Sequence, residues 1–170
     1  VWHTDVTFRE NPAFASILYS QIIPTFGGDT LWASLIDIYN HLPIDIQKYL
    51  EKFNAVHDMG DFRNNFTINE KIGSAEKLNE GFNRFGNAIH PIIKTHPISK
   101  KKYIYINPGF TNHIIGLNST DSKNLLTFLF SFMNKPEFQL RFKWTPNTIA
   151  MWDNRCTMHY AIGDYMPHQR

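Results

Sequence analysis

A chain of 170 residues with 42% apolar and 15% aromatic side chains has enough material for one substantial core, which excludes an intrinsically disordered segment. A net charge of +2 gives no electrostatic case for nucleic acid or an acidic membrane, and no apolar run approaches the roughly 18 residues a bilayer span needs. A lone cysteine, Cys156, excludes an intrachain disulfide framework and suits a reducing compartment, so a cytoplasmic location is expected.

In chain order, residues 4–8 and 14–23 read as strands separated by the turn-prone Glu10-Asn11-Pro12. Gly27-Gly28 breaks the second strand, and Asp29 or Thr30 is placed to cap a helix over 31–42, where Leu31, Leu35, Ile38 and Leu42 recur at helical spacing. Pro43 stops that helix, and Ile46, Tyr49, Leu50 and Phe53 mark a second short one. A strand near 54–59 precedes the least regular stretch, 60–86, which is a candidate mobile lid because long loops inside compact domains are usually functional. Strands resume at about 88–95 and 102–107, joined through Pro97 and a solvated Lys100–Lys102 turn. Ser119-Thr120-Asp121 caps a helix that turns Leu125, Phe128, Leu129 and Phe132 to one side. "FQLRFKW" then alternates, with Phe138, Leu140, Phe142 and Trp144 facing one way, and strands at 148–152 and 156–161 turn around Asp153-Asn154. Many short strands with helices between them, and no internal repeat or domain boundary, predict one mainly-β domain over 1–170: a sandwich or barrel such as a jelly roll.

Two polar residues stand out in the opening "VWHTDVTF". On a strand, His3 and Asp5 leave by the same face, so an imidazole and a carboxylate converge in apolar surroundings. Burying both is costly unless water, a partner residue or a metal ion satisfies them. The tripeptide alone is weak, and solvated surface groups are an equal reading of it. The far end raises its weight: His159 lies on an apolar late strand and Arg170 follows it. Two His and one carboxylate can hold one face of an octahedral Fe(II), leaving adjacent positions for a bidentate 2-oxo acid and O2. The acid's far carboxylate then needs a fixed cation. The planar fork of Arg170 suits it, with a hydroxyl such as Thr30 adding one more bond.

The blocks "WHTDVTF", "GGDTLWA", "NPGFTNHIIGL", "KPEFQLRFKW" and "MWDNRCTMHYAIGDYMPHQR", in this order along nearly the whole chain, closely resemble the taurine dioxygenase (TauD/TfdA) family. The resemblance implies a double-stranded β-helix, with Fe(II), 2-oxoglutarate and O2 as cofactor and co-substrates. It implies His3, Asp5 and His159 as iron ligands, Arg170 as the partner of the 2-oxoglutarate C5 carboxylate, and Thr30 as its hydroxyl partner. Val6, Phe110 and, on a softer match in "FRNNF", Phe66 correspond to substrate contacts. The family also carries polypeptide before the His-x-Asp strand and a second Arg four residues beyond the position of Arg170. The chain is therefore expected to be a partial domain, lacking N-terminal elements and the last core strand.

The activity implied is hydroxylation of the carbon next to a sulfonate, with taurine first, giving an aldehyde and sulfite alongside succinate and CO2. A homo-oligomer acting on a small anion is expected. The rivals are a superfamily member acting on an alkyl sulfate, an aryloxyacetate or another small anion, a jelly roll that binds without turnover, and a His2Asp zinc hydrolase. Neither of the last two gives Arg170 and Thr30 a purpose. Elsewhere, His57 and Asp58 are adjacent and would face opposite ways on a strand, His90 and His96 read as structural or solvated, and Cys156 reads as a core thiol. Trp2 and Trp152 read as core that could also shield the metal from water.

Overall fold

The computed structural model describes residues 1–59 and 86–170. Phe66 and the candidate lid, apart from Gly86, lie outside the described residues. Among those described, ten strands build four small antiparallel sheets. β1 (Ala15–Tyr19) pairs with β9 (Ile149–Asp153). A second sheet has β2 (Thr30–Ser34) at its centre, between β8 (Gln139–Phe142) and β10 (Thr157–Ala161). A third has β3 (Asn54–His57) between β4 (Ala88–Pro91) and β7 (Thr111–Ile114). β5 (Ile93–Thr95) and β6 (Lys102–Ile104) form the fourth. The helices are α1 (Leu35–His41), α2 (Ile44–Leu50) and α3 (Ser119–Met133). No helix among the described residues is long and apolar enough to cross a membrane.

The chemistry of these elements explains both the agreements and the differences with the pattern read from sequence. The helical spacing over 31–42 spans two elements. Its first residues form β2, because pairing on both edges with β10 and β8 satisfies their backbone groups and outweighs local propensity. Thr30 therefore opens a strand and caps nothing. The cap is Ser34, whose hydroxyl accepts from the Asp37 N–H at 3.2 Å. From there the spacing holds: Leu35, Ile38, Tyr39 and Leu42 are buried, and α1 packs across β6. Full burial of Leu35 and Ile38 contributes about 1.5–3 kcal/mol each.

Residues 4–8 are not a strand. His3 makes an isolated antiparallel bridge to His159, and residues 5–8 turn. In α3 the N-cap is Asn118, one residue before the expected cap, and its side chain accepts from the Asp121 N–H at 2.9 Å. The buried face is Ser122, Leu126, Leu129 and Met133, whereas Phe128 is 42% exposed. Ser122 belongs inside because its hydroxyl accepts the Ile114 N–H of β7 at 2.9 Å. In β8, Leu140 shares a face with Phe142 but is 62% exposed, so the regular alternation does not mean uniform burial. The core runs from α1 through β6 and β7 to α3, built around Leu35, Ile38, Ile104, Ile114 and Leu129.

Register decides what the sheets present to each other. Trp32 lies opposite His159 and Thr30 opposite Ala161, so His159 and Thr30 leave by one face of the β2-centred sheet. On the neighbouring pair Ser16 lies opposite Trp152. The Trp32 and Trp152 rings, 5.4 Å apart, join the two surfaces.

Candidate metal centre

The two ends of the chain meet through their backbones. His3 N–H donates to His159 O at 3.1 Å, and His159 N–H returns to His3 O at 2.8 Å. A bridge of this kind sets the rings side by side, with centroids 4.2 Å apart. Asp5 faces both: its Oδ1 lies 3.5 Å from His3 Nε2 and 3.5 Å from His159 Nε2. The three donor atoms lie within 4.8 Å of one another. Metal–ligand bonds of about 2.0–2.2 Å place neighbouring donors roughly 3 Å apart, so Asp5 Oδ1 lies about half an ångström beyond that spacing from each imidazole.

Protonation states suit the same purpose. His3 Nδ1 lies 3.0 Å from Val1 O, a carbonyl that only accepts, so that nitrogen carries a proton, and Nε2 is the ring atom turned toward Asp5. Burial, then the neighbouring His3, pushes His159 down to about 4, which keeps its imidazole neutral at physiological pH. Burial pulls Asp5 upward, but hydrogen bonds from His3 and Ser16 outweigh it, and the carboxyl sits below its usual range. Two imidazole nitrogens and one carboxylate oxygen form a donor set for a divalent first-row metal ion.

The cavity beside the three has a volume of about 450 Å³ and reaches Thr30 and Arg170. Arg170 Nη2 donates to Thr30 Oγ1 at 2.8 Å, and the buried Trp144 Nε1–H donates to the same oxygen at 2.9 Å. With both lone pairs engaged, the Thr30 hydroxyl has its one proton left to give. Gly28 makes room for this arrangement: at φ +72° it suits glycine, and a Cβ there would meet Arg170 Cδ at 3.2 Å.

A family model described as "Taurine catabolism dioxygenase TauD, TfdA family" matches residues 1–170. The chain belongs to the TauD/TfdA family. Within that family, it is 36% identical over 169 residues to an alpha-ketoglutarate-dependent sulfate ester dioxygenase of Pseudomonas putida, covering 96% of this chain and 54% of that protein. It is 31% identical over 165 residues to an alpha-ketoglutarate-dependent sulfonate dioxygenase of Saccharomyces cerevisiae, covering 96% of this chain and 38% of the other. A crystal structure of a taurine dioxygenase from Burkholderia xenovorans superposes with a TM-score of 0.80 at 32% identity, over 96% of this chain and 52% of that one. The chain thus spans about half the length of such TauD/TfdA relatives, or less.

Not every residue expected at the site lines this cavity. Phe110 is buried behind His3, edge-on to that ring at 6.1 Å and to Phe8 at 5.1 Å. Val6 sits in the turn after Asp5 at φ 50°, a conformation that a β-branched residue rarely adopts. Trp152 lies against His159 with ring centroids 4.9 Å apart, and Trp2 is buried against Tyr160.

Four buried polar residues that sequence reasoning did not place at the site hold the His-x-Asp loop in shape. Asn154 accepts from Asp5 N–H at 3.0 Å and donates to Asp5 O at 3.1 Å and Ala13 O at 3.0 Å. His57 and Asn107 both reach Thr7 Oγ1, at 3.0 and 3.1 Å. His90 Nε2 lies 2.9 Å from Thr7 O and 3.1 Å from Arg9 O, while Lys94 Nζ approaches its Nδ1 at 3.2 Å. Asn154 looked like an ordinary turn residue, and only the fold brings the other three beneath the loop.

His96, Asp153 and Cys156 also lie within metal-binding distance of one another. Two of the three, His96 and Asp153, are already engaged. Asp153 accepts from Arg155 Nε at 2.9 Å and Nη2 at 2.6 Å, and from His96 Nε2 at 2.9 Å. His96 Nδ1 takes the Ser99 N–H at 3.0 Å, so the Nε2 proton points at Asp153 and no lone pair is left for a metal. His96 is therefore structural and buried, not solvated.

Proposed function

We propose that the protein is an Fe(II)- and 2-oxoglutarate-dependent dioxygenase that hydroxylates the carbon next to a sulfonate, with taurine the first candidate. The products are an aldehyde and sulfite, plus succinate and CO2 from the co-substrate. The observation that carries this reading is the convergence of His3 Nε2, Asp5 Oδ1 and His159 Nε2 at one end of a cavity that also reaches the Arg170–Thr30 pair. Metal binding alone gives no reason for that pair. A dicarboxylate held by a metal at one end and by a guanidinium fork at the other gives one.

In this reading His3, Asp5 and His159 hold Fe(II), which supplies the activation of dioxygen and the oxidative power. The protein's own residues provide the rest. Val1 O orients the His3 ring by accepting from its Nδ1. Thr30 gives its hydroxyl proton to the C5 carboxylate, and Arg170 adds charge-assisted bonds of about 1.5–3 kcal/mol each. The indole of Trp152 covers one flank of His159 and keeps water from that side. The antiparallel sheets carrying these residues are read as the two walls of a double-stranded β-helix.

A second reading within the same chemistry is oxidation of an alkyl sulfate ester, favoured by the 36% identity to the sulfate ester dioxygenase. The test uses the full-length protein with Fe(II), 2-oxoglutarate and air, following 2-oxoglutarate decarboxylation across taurine, alkyl sulfonates, alkyl sulfates and an aryloxyacetate. Sulfite release from taurine supports the first reading. Turnover of sulfates with no sulfite from taurine replaces it with the second, and no decarboxylation with any substrate overturns both.

A further inference from the structure

We infer that Ser16 is a positioning residue that leaves Asp5 a single oxygen with which to bind metal. The inference rests on the metal-centre reading above and adds to it a residue that the mechanism has not used. The Ser16 hydroxyl donates to Asp5 Oδ2 at 2.5 Å, the short end of the range for a bond to a charged carboxylate. The other oxygen, Oδ1, is the one equidistant at 3.5 Å from the two imidazoles. Each carboxylate oxygen therefore has its own assignment.

Three features make the bond a built one. Ser16 lies within β1, locked by register opposite Trp152, whose ring packs on His159. Its hydroxyl is therefore referenced to the same sheet pair that positions the second histidine. Asn154 pins the Asp5 backbone on both its N–H and its C=O, so what remains free in Asp5 is rotation of the side chain. Ser16 removes that rotation. A carboxylate free to turn can chelate through both oxygens and occupy a fourth position around an octahedral ion. Held by Ser16, it takes one, and three adjacent positions stay available for a bidentate acid and dioxygen.

Outer partners of this kind typically change metal affinity 10–100-fold when removed. The experiment compares full-length wild type with Ser16→Ala and Ser16→Thr. It measures anaerobic Fe(II) and Co(II) affinity by calorimetry, the visible spectrum of the Co(II) form, and the charge-transfer band on adding 2-oxoglutarate to the Fe(II) form. The expected result is that Ser16→Ala weakens metal binding about tenfold or more and alters both spectra, while Ser16→Thr, which keeps a hydroxyl, restores them. Unaltered affinity and spectra in Ser16→Ala overturn the assignment. So does a rise in KM for the primary substrate with metal binding intact, because it places Ser16 on substrate. A wild-type protein that binds neither ion brings down the metal-centre reading as well, which separates the two failures.

Discussion

His3 and His159 are bonded to each other through their main chains before any side chain is considered, each donating its N–H to the other's carbonyl. One antiparallel bridge therefore sets the spacing of two candidate metal donors far apart in the sequence, and Asp5 is the only one of the three that the bridge does not fix. Asp5→Asn tests the donor set with little disturbance, since the amide oxygen can still accept from Ser16 while the charge is lost. Fe(II) affinity should fall by more than the ~100-fold seen when an outer partner is removed, with the thermal unfolding midpoint of the metal-free protein nearly unchanged. Anaerobic titration and calorimetric unfolding check both halves.

Thr30 accepts two hydrogen bonds on one oxygen, from the Trp144 indole and from Arg170. Thr30→Val keeps the shape and removes the acceptor. It should strand a buried N–H at about 1–3 kcal/mol of stability and raise the 2-oxoglutarate Kd roughly tenfold. Arg170→Lys keeps the charge but loses the planar fork, so the co-substrate Kd should rise by about 10-fold or more with Fe(II) affinity unchanged. A loss of metal binding in either variant would contradict the division of the cavity into a metal end and a carboxylate end.

That His3, Asp5 and His159 would converge was legible because each carries a local signal. His3 and Asp5 are two residues apart, His159 stands in an apolar strand, and the family blocks around them keep their order. The element at 31–42 misled because Leu31 fits both a helical and a strand pattern, and only pairing with β8 and β10 decides between them. Asn154, His57, Asn107 and Ser16 were illegible for a different reason. A polar residue shows in sequence only its identity, and its role comes from a long-range hydrogen bond to the loop at 5–9 or, for Asn154, to Ala13 as well. In β8 the alternation was real, yet Leu140 stayed exposed, because alternation reports which way a side chain points and not what covers it.

Asn154→Ala removes three hydrogen bonds that close the loop from Asp5 to Ala13. Leaving two backbone groups of Asp5 without partners should cost about 2 kcal/mol or more, lowering the unfolding midpoint by several degrees. Hydrogen exchange should show the amide of Asp5 losing protection while amides of α3 keep theirs. Equal loss across the molecule would mean that Asn154 supports the whole fold and not this loop.

The cluster beneath the loop makes stability depend on pH, and the direction follows from His57. This ring is fully buried, shares a hydrogen bond with Thr7 Oγ1, and faces His90 at 5.2 Å and Tyr105 at 5.7 Å between ring centroids, with Lys94 beside His90. Burial, then the charges of His90 and Lys94, push it down from 6.5 to about 3. Below pH 6.5 the unfolded chain binds a proton at this position that the folded protein refuses until about pH 3, so stability is complete above 6.5 and drains away as the pH falls between the two values. His90 is lowered in the same direction, mainly by burial, and adds to the effect. From pH 7.5 to pH 5 the His57 contribution is about 2 kcal/mol. The Asp153 carboxyl, held down to about 2 chiefly by Arg155, acts in a separate window below its ordinary 3.8. His57→Gln keeps a partner for Thr7 and cannot take up that proton. Urea unfolding at the two pH values should show a steeper loss of stability in wild type than in the variant. If the two lose stability equally, the buried ring is not the acid-sensitive element of this loop.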